Sequence, residues 1–208
     1  MAGHSKNTIH TGVALKDAEK VLIMLHGRGA TAEDIISLSD HFRLLNTHVI
    51  APQATNNAWY PYSFLAPRQQ NEPWLSSALH VLNEILRDVI LEKIKSQQVF
   101  ILGFSQGACL ALEFATQNAQ PFGGVIAFTG GLIGDVLQEE NYRGNFQKTK
   151  VFIGNSDKDP HVPMARSKES KRIMEKLDAE VTLKIYPGMP HTINDDELNW
   201  VNQNMFAS

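Results

Sequence analysis

The stretch Val99–Gly107 reads VFILGFSQG: an apolar run that ends in Gly103-Phe104-Ser105-Gln106-Gly107. Val99–Phe104 has the length and apolar character of a buried strand, and Gln106–Thr116 reads as the helix that follows. A serine between two glycines at a strand-to-helix turn is thrust out above the end of the strand. The flanking glycines have no Cβ, so strand and helix can approach closely. The helix N-terminus then lays positive potential under any anion that forms there. Ser105 is the candidate nucleophile. A serine that merely caps a helix leaves the same five letters, so the rest of the chain must supply the partners.

Outward from this turn, short apolar runs alternate with longer amphipathic ones. Val21–Leu25, His48–Ala51, Gly124–Phe128, Lys150–Ile153 and Val181–Tyr186 read as further strands. Helices are expected over Thr31–Arg43, Leu75–Lys95, Pro163–Leu177 and Asp195–Asn204, with proline at the start of the third. Apolar strands alternating with helices imply an α/β fold with a mostly parallel sheet covered on both faces. Two segments break the rhythm. Pro52–Pro73 is long and aromatic, and Gly130–Lys148 is glycine-rich and polar; long loops of this kind tend to be functional or mobile. No repeat, linker or low-complexity tract divides residues 1–208, so a single domain without a cap domain is expected.

A nucleophilic serine needs a base, and the base needs an orienting acid. Of eight histidines only His161 and His191 follow Ser105. His191 lies in a loop between the last strand and the last helix, where an imidazole can hang over the nucleophile; His161 reads as a surface or helix-start residue. Asp157 and Asp159 both leave the carboxyl end of the strand that starts at Lys150. Asp159, three residues before Val162 and the helix-opening Pro163, is the better framed, with Asp157 as the other candidate. Leu25-His26-Gly27-Arg28-Gly29 follows the first strongly apolar strand. It can turn a backbone N–H inward, so the amides of Arg28 and Gln106 are the expected pair of oxyanion donors. The Arg28 side chain is expected in solvent. Trp59, Tyr60, Phe64, Leu65 and Met189 are the candidate apolar lining of a substrate pocket.

Composition narrows the class. Apolar residues make up 43%, charged residues 20%, and the formal net charge is −3. The basic residues are dispersed among acidic ones, as around Lys168, Lys171, Arg172 and Lys176, which argues against nucleic-acid binding. Cys109 is the single cysteine, so no intramolecular disulfide forms, as suits a reducing compartment. Met1–Lys6 is polar, unlike a signal peptide, and no apolar run approaches the ~18 residues of a membrane span. The expectation is a cytoplasmic protein without stable membrane insertion, metal or cofactor; a homodimer is compatible with the sequence.

With these residues in place, the chain resembles the phospholipase/carboxylesterase family of small α/β-hydrolases, which includes acyl-protein thioesterases. LHGRG resembles the family's oxyanion-loop motif and GFSQG is identical to its nucleophile turn. DPHVP resembles its acid motif, which favours Asp159, and YPGMPH is similar to its histidine motif. Ser156 stands where the family usually has glycine. The resemblance implies an α/β-hydrolase fold and hydrolysis of small acyl esters or thioesters by Ser105, His191 and Asp159, without a metal. Asn56–Pro67, NNAWYPYSFLAP, is worded differently from the longer segment of better-known members. Rival readings are a dienelactone-hydrolase-like activity, a peptidase on the same fold, and a catalytically silent binding module.

Overall fold

Apolar side chains on successive positions of the central strands point to opposite faces and so build two cores at once. Val21, Ile23 and Leu25 are buried on one face of the sheet, and Leu22 and Met24 on the other. The computed structural model describes residues 3–206. Its strands are β1 (Thr8–Gly12), β2 (Lys20–Leu25), β3 (Thr47–Pro52), β4 (Val99–Phe104), β5 (Gly124–Phe128), β6 (Lys150–Ser156) and β7 (Glu180–Tyr186). Its helices are α1 (Ala32–Ser37), α2 (Trp74–Leu91), α3 (Gln106–Gln117), α4 (Met164–Lys176) and α5 (Asp195–Asn204). The seven strands form one sheet in the order β1-β3-β2-β4-β5-β6-β7. Only β1 runs antiparallel to its neighbour.

Helices α2, α3 and α4 cover the face that holds Ile23, Ile101 and Val125. Helices α1 and α5 cover the face that holds Met24, Leu102 and Phe152. The chain leaves β2 to one side to make β3, then returns to the other side of β2 to make β4. The connections therefore part between β2 and β4, and a crevice opens at their carboxyl ends, as expected where strand order reverses.

Several boundaries differ from the sequence reading. The helix expected over Thr31–Arg43 is only α1 plus a 3₁₀ turn at Leu38–His41. The Ser37 hydroxyl donates to the Asp34 carbonyl at 2.7 Å and competes with the helical ladder there. Helix α2 ends at Leu91 rather than Lys95, and Lys93 adopts a left-handed φ of 66° just beyond it. Strand β1 was not expected, since TIHTG is polar and half exposed at the sheet edge. The Gly130–Lys148 segment is less polar in its packing than in its composition: Leu132, Ile133, Tyr142 and Phe146 are buried. The N-terminal reading over Met1–Lys6 falls partly on residues 1 and 2, which lie outside the described residues, as do residues 207 and 208.

Two glycines fix where α3 starts. A Cβ on Gly103 would stand 2.2 Å from the Gly107 carbonyl oxygen, and one on Gly107 would stand 2.1 Å from the Leu25 carbonyl oxygen. These are backbone contacts that cannot swing aside. Gly107→Ala is expected to lower the stability of the fold by at least about 2 kcal/mol, read as a lower urea midpoint at unchanged slope.

Candidate active site

The turn between β4 and α3 holds Ser105 at φ 54°, ψ −117°, a conformation L-residues rarely adopt. Its N–H donates to the Phe128 carbonyl at 3.0 Å, and its carbonyl accepts from Cys109 N–H at 3.0 Å. The side chain is thereby aimed into the crevice. His191, in the loop between β7 and α5, meets it there: Nε2 lies 2.8 Å from Ser105 Oγ. On the other side of the ring, Nδ1 lies 2.7 Å from Asp159 Oδ2. The second Asp159 oxygen, Oδ1, accepts the amides of His161 and Val162, both at 2.8 Å. Burial alone would raise the Asp159 carboxyl. The hydrogen bonds from His191, Val162 and His161 outweigh it and hold the group below the usual carboxylate range.

Asp157 is not at this contact. Its Oδ1 accepts the Gly188 amide at 2.7 Å and so ties β6 to the His191 loop. Ser156, in the place of the family's glycine, is buried and its hydroxyl accepts the Lys158 amide at 3.2 Å. His161 reaches further than expected. It lies at the rim of the cleft, and its ring meets that of His191 edge-on at 4.9 Å.

The loop after β2 is built around His26, which is wholly buried. Its Nδ1–H donates to the Gly27 carbonyl at 2.7 Å and its Nε2 accepts the Ala54 amide at 3.1 Å. Burial is the largest influence on this ring and lowers its pKa, which keeps it neutral for both contacts. Among the described residues, the amides of Arg28 and Gln106 have no acceptor. Their side chains do other work. Gln106 Oε1 accepts the Trp59 amide at 2.9 Å and its Nε2 donates to the Tyr60 carbonyl at 2.8 Å. The Arg28 guanidinium is not free in solvent but donates to the carbonyls of Pro61, Tyr60 and Tyr62 at 2.9, 2.8 and 2.7 Å. Both residues clamp the aromatic segment to the loop.

The cleft beside Ser105 has a volume of about 580 Å³. Tyr60 and Phe64 line it as expected from sequence, and Tyr62, Ser63 and Val162 complete much of its wall. Three expected lining residues do not. Trp59 is fully buried and donates its indole N–H to the His26 carbonyl at 2.9 Å, bracing the loop from below. Leu65 packs against the core. Met189 is not on the cleft wall, and its sulfur accepts Asn194 Nδ2–H at 2.8 Å. Cys109 sits in the cleft floor, one helical turn past Ser105, where burial pushes its thiol up to about 12. That thiol stays protonated at neutral pH and is a poor nucleophile. Among the described residues no group of three or more His, Cys, Asp or Glu side chains is placed to hold a metal ion.

Beneath the His191 loop, Asn194 and Glu197 form a reciprocal cap at the start of α5. Glu197 is wholly buried. Its Oε2 accepts the Asn194 amide at 2.9 Å, and its Oε1 has no partner among the described residues. It fits only because Gly154 lacks a side chain: a Cβ there would stand 1.7 Å from Oε1. Burial raises this carboxyl to about 7.

The family model for phospholipase/carboxylesterase matches residues 11–205. The chain is 26% identical to acyl-protein thioesterase 1 of Saccharomyces cerevisiae over 92% of its own length and 94% of the relative's. Among solved structures it is similar to a phospholipase/carboxylesterase from Dyadobacter fermentans, with TM-score 0.98, 51% identity, and 100% and 99% of the two chains covered. It is also similar to the esterase PE8, with TM-score 0.79, 25% identity and 97% of each chain covered. The sheet and its helices are those of an α/β-hydrolase. No helix of the described residues is long and apolar enough to cross a membrane.

The buried Glu197 gives a pH test of this site's underpinning. An unfolded glutamate releases its proton near pH ~4.3, whereas the folded one holds it to about 7. The resulting stability is full below the unfolded value and is lost as pH rises through the folded one. Glu197→Gln removes this loss while keeping the cap. The stability of the wild type relative to this variant is expected to fall by about 2–3 kcal/mol between pH 5 and pH 8, measured by urea unfolding at each pH.

Proposed function

This chain belongs to the phospholipase/carboxylesterase family, and we propose that it cleaves small acyl esters or thioesters through a Ser105–His191–Asp159 triad and an acyl-enzyme. The observation that carries this reading is the unbroken line of contacts from Asp159 through His191 to Ser105, 2.7 and 2.8 Å long, at a serine held in a strained turn. Asp159, an acceptor on both oxygens, takes the Nδ1–H of His191. That choice of tautomer leaves the Nε2 lone pair facing the serine hydroxyl.

In the forward half-reaction Ser105 Oγ attacks the carbonyl carbon as His191 Nε2 takes its proton. The electron pair of the carbonyl moves to oxygen, and that oxyanion rests on the amides of Arg28 and Gln106. When the intermediate collapses, the bond to the alcohol or thiol breaks, and the leaving atom takes the proton back from Nε2. Water then repeats the cycle on the acyl-enzyme and releases the acid. Asp159, its negative charge supported by two backbone amides, stabilises the imidazolium while it lasts.

A dienelactone-hydrolase-like reading calls for cysteine at the nucleophile turn, where this chain has Ser105; the thiol of Cys109, one helical turn further on, is held protonated by burial. The yeast relative's name concerns acylated proteins; the mixed polar and aromatic cleft of this chain suits small acyl groups. One buried cysteine and no disulfide suit action in the cytoplasm.

Ser105→Ala is expected to lower kcat on a p-nitrophenyl ester by on the order of 10⁶-fold with an unchanged circular-dichroism spectrum. A fluorophosphonate adduct mapped to any other residue would overturn the assignment. Asp159→Asn is expected to cost about 10⁴-fold in kcat. Asp157→Asn, which loosens the Gly188 tether alone, is expected to cost far less; the reverse ranking would move the acid to Asp157.

A further inference from the structure

His191 is flanked on both sides. On the cleft side stands the His161 ring, and on the other side stands Phe104, with ring centroids 5.2 Å apart. Phe104 also forms the wall of a second groove, of about 320 Å³, together with Gly27, Ile35, Leu38 and Ile193. The Gly27 end of this groove lies next to Ser105, which with His191 lines the main cleft instead. A Cβ on Gly27 would lie 3.5 Å from Ser105 Cβ and 3.4 Å from Phe104 Cδ1. It then runs between α1 and the His191 loop.

Several polar groups along it are already paired. Asp34 Oδ2 accepts from Thr31 N–H and Oγ–H at 2.8 and 3.0 Å, and the carboxylate is otherwise exposed to solvent. The Ser37 hydroxyl is spent on the Asp34 carbonyl, and both ring nitrogens of His26 are occupied. What remains to face a ligand is mainly aliphatic and aromatic, apart from Asp34 Oδ1 and the His41 side chain. Against Ile35, Leu38, Phe104 and Ile193 a polar ligand group would lose its water without finding a side-chain partner, whereas an alkyl chain gains on entry. The main cleft is different in kind, with Tyr62, Ser63 and His161 on its walls.

We propose that this groove is the leaving-group subsite, and that it takes the apolar alcohol of the ester. The proposal rests on the reading of Ser105 and His191 given above. The atom that leaves must lie beside His191 Nε2 to receive its proton, so the chain attached to it must exit along one flank of the imidazole. The acyl chain stays bonded to Ser105 after the alcohol departs. It belongs in the cleft that Ser105, Gln106 and Cys109 themselves line. The groove touches the serine only through Gly27 and Phe104, and is the exit left for the other half. The substrate class is then an ester with a small, partly polar acyl group and an alkyl alcohol.

Two ester series separate the halves: acetates of methanol through hexanol, and methyl esters of acetate through hexanoate. In the wild type, kcat/KM is expected to rise about threefold per methylene added to the alcohol until the groove is filled. Leu38→Trp fills the groove and Leu38→Ser makes it polar, and either variant is expected to flatten the alcohol series. The ratio of hexanoate to acetate methyl esters within each variant is expected to stay within twofold of the wild-type ratio. A flat alcohol series in the wild type, or a variant that changes the acyl series instead, overturns the proposal. Absence of turnover on every ester would overturn the hydrolase reading itself, and the groove's role with it.

Discussion

Two backbone approaches, each too close for a side chain, determine where Ser105 stands. Gly103 lies against the carbonyl of Gly107, and Gly107 lies against the carbonyl of Leu25. Strand β4, helix α3 and the end of β2 are therefore locked together, and the residue between them must take a positive φ. Ser105 does so and is held by one hydrogen bond to Phe128 and one to Cys109. The loop after β2, which carries Gly27 and Arg28, shares the same contact. Ser105 and the expected oxyanion donors are thus parts of one rigid junction at the point where the strand order reverses.

The rest of the site is brought to this junction by polar groups buried under the long loops. Glu113, on α3 and wholly buried, accepts from Arg68, Gln117, the Ile133 amide and the Tyr142 hydroxyl. It ties both irregular segments to the helix that starts just after Ser105. Arg166 on α4 donates to the carbonyls of Leu132, Gly134 and Asp135, and the Gly134 amide in turn donates to Phe64. A buried charge left without its partner costs about 3–5 kcal/mol, so these loops are fixed walls although they carry little secondary structure. Arg28 and Gln106 act in the same way on Trp59–Tyr62, which links the geometry of the cleft to the loop beside Ser105.

The fold class was legible because its signals are local: apolar strands of the right length, amphipathic helices, and glycines at the one turn that needs them. Ser105 and His191 were legible from chain order and the character of the loops, while Asp159 was separated from Asp157 only with the help of the DPHVP resemblance. What escaped was set by contacts between distant residues. Trp59 reads as a pocket aromatic, but its indole N–H finds the carbonyl of His26 and draws it into the core. Arg28 reads as a solvated cation, but three carbonyls converge on it only once Tyr60–Tyr62 has folded back. Glu197 and Glu113 look like ordinary helical acids, and nothing in their neighbours along the chain announces their burial. Strand β1 escaped because an exposed edge strand needs no apolar alternation.

The central claim is that the Ser105 hydroxyl carries the acyl group during turnover. Acid quenching in the first turnovers of a p-nitrophenyl ester, followed by peptide mapping by mass spectrometry, reads it directly. The account predicts one added acyl mass on the peptide that contains Ser105, localised to that residue and absent after turnover is complete. An acyl mass on Cys109, or full turnover with no acylated peptide and no initial burst of p-nitrophenol, would contradict it.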